Sequence, residues 1–163
     1  MSAAVTVRPA TPSDVPTILS LIEELAVYEK LRHECFATTE LLQTHLFGAR
    51  PAAEVLMAEA DGQTLGFALF YTSFSTWLAR PCLFLEDLYV RPSQRKLGAG
   101  RALLTALATI GLERNCGRIQ WHVLTWNQLA IDFYDRIGAN DLEGWKIYRM
   151  DESGMQLLTG AAR

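Results

Sequence analysis

The stretch Leu85-Glu-Asp-Leu-Tyr-Val90-Arg91-Pro-Ser-Gln-Arg95-Lys-Leu-Gly98-Ala-Gly100-Arg-Ala-Leu-Leu104 decides the reading of the fold. Its first six residues have the composition of a strand, interrupted by two adjacent carboxylates. Pro92 has no N–H to give to a ladder, so the strand ends before it. The hydrophobic period then changes: Gly100, Leu103, Leu104, Leu107, Ala108 and Gly111 fall on one face of a helix running to about Arg114. The segment is therefore a strand, a basic glycine-containing turn and a long helix. Such a turn exposes backbone N–H groups that the helix cannot pair, and the helix dipole favours an anion there. Gly98 and Gly100 let the backbone approach a bulky diphosphate without a Cβ clash. Arg95, Lys96 and Arg101 add cationic donors. A dinucleotide-binding GxGxxG fingerprint fails, because Leu103 stands where its third glycine would be. The phosphate-binding GxxxxGK[ST] loop is absent.

Upstream, Val5 to Arg8 reads as a first strand. Ser13 is an N-cap candidate for a helix carrying Val15, Ile18, Leu19, Ile22, Leu25 and Ala26 on one face. Tyr28 to Glu34 is polar and reads as a surface loop; Thr38 or Thr39 caps a shorter helix through about Phe47. Ala53 to Ala60 and Leu65 to Phe74, joined at Asp61-Gly62, read as a hairpin. Cys82 to Val90 is the next strand. Downstream of the central helix, Arg118 to Thr125 is strand-like. A short helix with Ala130, Phe133, Tyr134 and Ile137 stops at Gly138, and Trp145 to Met150 reads as a last strand. This order is one mixed α/β domain over residues 1–163, without repeats or a linker.

A chain of 163 residues with half its residues apolar and a fifth charged can bury a proper core in one domain. Its formal net charge of −3 gives no reason to expect a nucleic acid or an anionic membrane as partner. The three cysteines, Cys35, Cys82 and Cys116, have no CxxC spacing and read as reduced hydrophobes of a cytosolic protein. His33, His45 and His122 form no ligand cluster, so no metal is expected. The N-terminus lacks a signal-peptide pattern, and no apolar run is long enough to span a bilayer. A cytoplasmic location is the expectation.

Arg95-Lys-Leu-Gly98-Ala-Gly100, preceded by Val90-Arg-Pro92, resembles the Q/R-x-x-G-x-G/A signature of the GCN5-related N-acetyltransferase superfamily. The resemblance implies a mostly antiparallel mixed sheet flanked by helices in three α/β/α layers, with acetyl-CoA as co-substrate and no metal. It assigns the coenzyme to Leu88, Tyr89 and Val90 of the strand, to Arg95, Lys96, Leu97, Gly98, Ala99, Gly100 and Arg101 of the turn, and to Asn127 and Tyr134. Further stretches are similar to the spermidine/spermine (diamine) branch of the superfamily and its thialysine-specific relatives. They are Arg8-Pro-Ala-Thr11, Leu21 to Ala26 with Tyr28-Glu29, Leu85-Glu-Asp87, Trp126-Asn127, Phe133-Tyr134 with Gly138-Ala139, and Glu143-Gly-Trp145. This likeness implies a homodimer.

Carried onto this chain, the branch pattern makes Tyr134 the general acid for the departing thiolate, although a core tyrosine is its generic reading. It places an acidic substrate ligand at Glu86, which is the candidate base, acting directly or through a water chain. Tyr28, Glu29, Glu86, Asp87, Gln120, Trp121, His122 and Glu143 then face the amine, with a solvated surface or packing as their plain alternatives. Strand alternation sends Glu86 and Asp87 to opposite faces. Trp77 and Trp126 read as packing residues. The acceptor implied is a primary amine of a small diamine or polyamine. Lys30, Arg32 and His33, standing where a polyamine pocket would carry acids, point instead to a shorter or zwitterionic amine such as thialysine or lysine. A protein acceptor, or a module that only binds acetyl-CoA, is the remaining alternative.

Overall fold

The computed structural model describes residues 4–161. They fall into two units, Met1–His122 and Val123–Arg163, each described by itself. The first carries β1 (Thr6–Pro9), α1 (Val15–Tyr28), α2 (Thr39–Phe47), β2 (Glu54–Ala60), β3 (Gln63–Ser75), β4 (Arg80–Val90), α3 (Ala99–Glu113) and β5 (Ile119–Trp121). The strands form one sheet in the order β1-β2-β3-β4-β5. The first four are antiparallel, and β5 joins β4 in parallel. Asp61 and Gly62 turn the β2–β3 hairpin with φ of 49° and 72°, the left-handed pair that matches strand twist.

Directly paired residues share a face of the sheet, so the register separates two cores. Val55, Met57, Phe67 and Tyr89 pack with Ile18 and Leu21 of α1 and Leu46 of α2. On the opposite face lie Leu56, Ala68, Phe70, Leu83 and Leu85, all buried. There α3 buries Leu103, Leu104 and Leu107. Gly111 faces the Leu83 side chain, and the Arg114 guanidinium lies 6.0 Å from the Phe70 ring centre while pairing with Glu54. Helix, sheet and helix thus form the three expected layers within this unit.

Two ion pairs tie the layers at their edges. The Arg8 guanidinium bridges Asp14 at 2.8 Å and Glu59 at 2.6 Å, joining β1, the turn before α1 and β2. That guanidinium holds the Asp14 carboxyl well below the usual carboxylate range. Ser13 is not the cap of α1. A 3-10 turn over Pro12–Asp14 precedes the helix, and Thr11 and Asp14 form its capping box.

The second unit holds α4 (Gln128–Arg136) and α5 (Glu152–Thr159). Asn127 caps α4 as expected, accepting the Ala130 N–H at 3.3 Å, and Asp151 caps α5 through the Gly154 N–H at 2.9 Å. Several expectations change. The strand expected over Arg118 to Thr125 shrinks to β5, because its pairing with β4 ends at Leu85↔Trp121. Trp145 to Met150 joins no ladder among the described residues and is not a strand; Trp145, Ile147 and Tyr148 are exposed. A strand-like composition makes a strand only beside a free edge in register. Finally, α5 had no counterpart in the hydrophobic pattern. Trp77, expected to pack, lies in the β3–β4 turn at 86% exposure, and Trp126 is also mostly exposed.

Candidate functional site

The site begins with a fault in the sheet. Asp87 pairs with Leu69 and Leu85 pairs with Phe70, which leaves Glu86 as an extra residue in β4, a β-bulge. The bulge changes the parity of the strand. Leu85 stays with Phe70 on the α3 face, and Asp87 moves to the face of Leu69, beneath α1. The expectation that Glu86 and Asp87 point to opposite faces is therefore wrong, since the extra residue breaks the alternation it relied on. Charges on Glu86 and Glu29 both act on Asp87, and Glu86 also acts on Tyr71 of that same face.

Beyond the bulge β5 no longer follows β4, and among the described residues Asp87–Val90 pair in register with β3 alone. The Arg91 N–H donates to the Leu65 carbonyl at 2.9 Å, inward to β3. Main-chain groups alternate sides along an antiparallel strand, so those of Val90 and Leu88 point outward to the open edge. The Val90 carbonyl confirms this by accepting the Arg95 Nε–H at 3.1 Å. Tyr89 differs from its neighbours. Its carbonyl presses on Gly66, where an added Cβ would collide with it, and its ring lies in the α1 core. Within Leu88-Tyr-Val90, only the first and third present main-chain groups to a ligand at the edge.

The basic turn follows. Lys96 and Gly98 adopt φ of 73° and 87°, and Gly98 is the N-cap of the 15-residue α3. Intrahelical bonding starts with the Ala102 N–H donating to the Gly98 carbonyl at 2.9 Å, so the N–H groups of residues 99–101 open toward the turn. An added Cβ on Gly98 would meet nothing within 4 Å, leaving open space at the helix end. Lys96, Leu97 and Arg101 are exposed and Ala99 is buried. Left-handed backbone, a helix N-terminus and cationic side chains can hold an anionic group such as a diphosphate. The β4 exit is held by Arg91, whose Nε and Nη2 donate to Glu24 of α1 at 3.0 and 2.8 Å, and whose Nη1 donates to the Thr64 carbonyl at 3.1 Å. Neither Glu24 nor Arg91 was singled out from sequence, because a pairing between residues so far apart leaves no local pattern.

Beside the open edge lies the acidic group. Burial, then the charges of Glu86 and Glu29, push the Asp87 carboxyl from 3.8 up to about 7. Burial also raises Glu29, which follows Tyr28 at the end of α1. An aromatic row crosses the same face: Tyr71 stacks on Phe84 at 5.3 Å, and Phe84 meets the His122 ring edge-on at 5.1 Å. Burial and then the Glu86 charge raise the Tyr71 phenol. Gln120 pairs with Phe84 and shares its face, whereas Trp121 pairs with Leu85 on the α3 side. The expected trio Gln120, Trp121 and His122 is thus divided between the faces. Tyr71 was also missed from sequence, since only the strand register brings it near Glu86.

Asn127, Tyr134 and Glu143 belong to the second unit. Tyr134 lies on α4 with its ring 5.4 Å from that of Phe133, and Glu143 is exposed in the irregular stretch before α5. Among the described residues no group of three His, Cys, Asp or Glu is placed to hold a metal ion, and no helix is long and apolar enough to cross a membrane. The three cysteines are unbridged.

The profile of the acetyltransferase (GNAT) family matches residues 20–139. Thialysine N-epsilon-acetyltransferase of Bos taurus is 38% identical over 97% of this chain and 99% of its own length. Spermidine/spermine N(1)-acetyltransferase-like protein 1 of Homo sapiens is 35% identical over 89% of this chain and 22% of its own length. Among solved structures, an integron cassette protein from the mobile metagenome of V. cholerae superposes with a TM-score of 0.79 at 26% identity, covering 98% of both chains.

Proposed function

The chain belongs to the acetyltransferase (GNAT) family, and we propose that the acceptor of its acetyl group is the terminal amine of a small thialysine- or lysine-type amino acid. One observation carries the reading. The charges of Glu86 and of Glu29 at the end of α1 both act on Asp87 where β4 parts from β5, in the strand that leads into the coenzyme turn. A cationic amine is the ligand that such a cluster favours, and the edge of β4 is where a thioester would meet it.

The chemistry sets the demand. An alkyl amine of pKa about 10.4 is almost wholly protonated at neutral pH, and deprotonating it costs roughly 4–5 kcal/mol. In this proposal the Glu86–Asp87 pair takes that proton. Asp87 is the titrating member, since a carboxyl near neutrality is better matched to accept and release a proton than one near 4. Acetyl-CoA supplies the thioester acetyl group. The outward N–H of Leu88 donates to the carbonyl oxygen as negative charge develops there. The amine nitrogen forms its bond to the acetyl carbon, the C–S bond breaks, the Tyr134 phenol gives its proton to sulfur, and the second proton released by the nitrogen restores the phenol. No acyl-enzyme is involved.

The name of the 38%-identical bovine relative supports the amino-acid acceptor, as do Lys30, Arg32 and His33 directly after Glu29. A diamine or polyamine is the second reading, favoured by three carboxylates about one site and by the human relative's name. The same proposal takes the enzyme as a cytoplasmic homodimer acting as one domain, with Asn127 on the coenzyme and Glu143 on the distal charge of the amine. CoA thiol release with thialysine, lysine, putrescine and spermidine tests it, with Tyr134→Phe and Glu29→Gln alongside. Turnover that prefers thialysine, falls strongly in Tyr134→Phe and shows a raised KM in Glu29→Gln is expected. Preference for spermidine would transfer the assignment to the second reading, and full activity of Tyr134→Phe would remove its role as acid.

A further inference from the structure

We propose that Tyr28 is a positioning residue for the coenzyme diphosphate and acts through Arg95, an inference that rests on assigning the α3 turn to coenzyme A. The side chain of Arg95 is long and mobile, yet the fold holds it at two points. Its Nε–H donates to the outward Val90 carbonyl at 3.1 Å, and its Cζ lies 4.8 Å from the centre of the Tyr28 ring. A guanidinium lying over a ring keeps its N–H donors in its own plane, around its edge. With Nε committed to Val90, the Nη donors are the fork left to face an oxyanion, the geometry that recognises phosphate with two parallel bonds.

The support beneath Arg95 is itself anchored. Tyr28 closes α1 and packs against the core formed by Ile18, Leu21, Met57 and Phe67. One turn earlier, Glu24 grips Arg91, so α1 is fastened to the backbone that carries the basic turn. Tyr28 and Arg95 are therefore held in one frame, and the ring orders a donor that would otherwise sample many rotamers. This role is distinct from the amine pocket, to which the family resemblance assigns Tyr28. A residue serving the amine alone would alter amine KM and leave coenzyme affinity untouched.

The test is equilibrium binding of CoA and of pantetheine by titration calorimetry, with no amine present. Loss of the ring support in Tyr28→Leu is expected to weaken CoA about three- to tenfold and to leave pantetheine, which lacks the diphosphate, unchanged. Tyr28→Phe keeps the ring and is expected to match wild type. In an Arg95→Ala background, Tyr28→Leu is expected to add nothing. Arg95→Lys, a surface change that spares the core, gives a second route: it keeps the charge, loses the planar fork, and is expected to weaken CoA to a similar degree. Wild-type affinity in Tyr28→Leu or Arg95→Lys, additivity with Arg95→Ala, or an equal loss for pantetheine would overturn the proposal. A wild-type protein that binds no CoA would instead overturn the coenzyme assignment beneath it.

Discussion

Replacing Asp87 by Asn should stabilise the protein in a pH-dependent way. The folded-state carboxyl stands near 7 against an ordinary value of 3.8. Because the folded pKa lies above the unfolded one, the folded chain holds the extra proton between these values, and stability falls as pH rises through that window. A difference of about three units corresponds to about 4 kcal/mol, an upper bound reached once Asp87 is ionised in both states. An asparagine has no charge to bury, so its advantage over aspartate should grow with pH. Between about pH 5 and pH 8.5 the growth comes to about 2–3 kcal/mol. For a chain of this size that is about 5–10 °C in the difference between the two melting temperatures. Thermal melting of both proteins across this range measures it, and a cationic amine should narrow the gap at high pH by neutralising the cluster. A melting difference that stays constant, or shrinks as pH rises, would refute the reasoning that Glu86, Glu29 and burial act together on Asp87.

Three other outcomes follow from the same structure. Gly98→Ala places a side chain at a φ of +87°, which should cost about 1–2 kcal/mol of stability and at least tenfold in CoA affinity by calorimetry, as the turn distorts. Glu24→Gln removes the carboxylate from Arg91 and should lower stability by about 1 kcal/mol in urea titrations, with the loss shrinking at high salt. Leu107→Ala, at a fully buried position of α3, should cost about 2–5 kcal/mol in the same titrations while leaving CoA affinity of the folded fraction intact.

The parts of the molecule that depend on local chemistry were legible in the sequence. The change of period after Pro92 located α3, Asp61-Gly62 located the hairpin, and Asn127 capped α4 as its side chain suggested. The basic turn could be read as an anion site because backbone freedom and helix ends are properties of a few neighbouring residues. What escaped depends on pairing between distant segments. The bulge at Glu86 exists only in the register of β4 against β3, and it alone brings Asp87 onto the α1 face with Tyr71 and Glu29. Glu24 with Arg91 and Tyr28 with Arg95 are contacts made by the packed layers. The Trp145 to Met150 stretch failed for the converse reason: its composition suits a strand, and its backbone joins no ladder among the described residues.

The most direct test of the central claim is the specificity constant for thialysine, measured as CoA thiol release with wild type and with the Asp87→Asn variant. Wild-type turnover is expected to rise through about pH 7 as Asp87 ionises, and the variant is expected to lose about a hundredfold or more together with that inflection. Wild-type rates in Asp87→Asn, or no thiol release with any small amine, would contradict it.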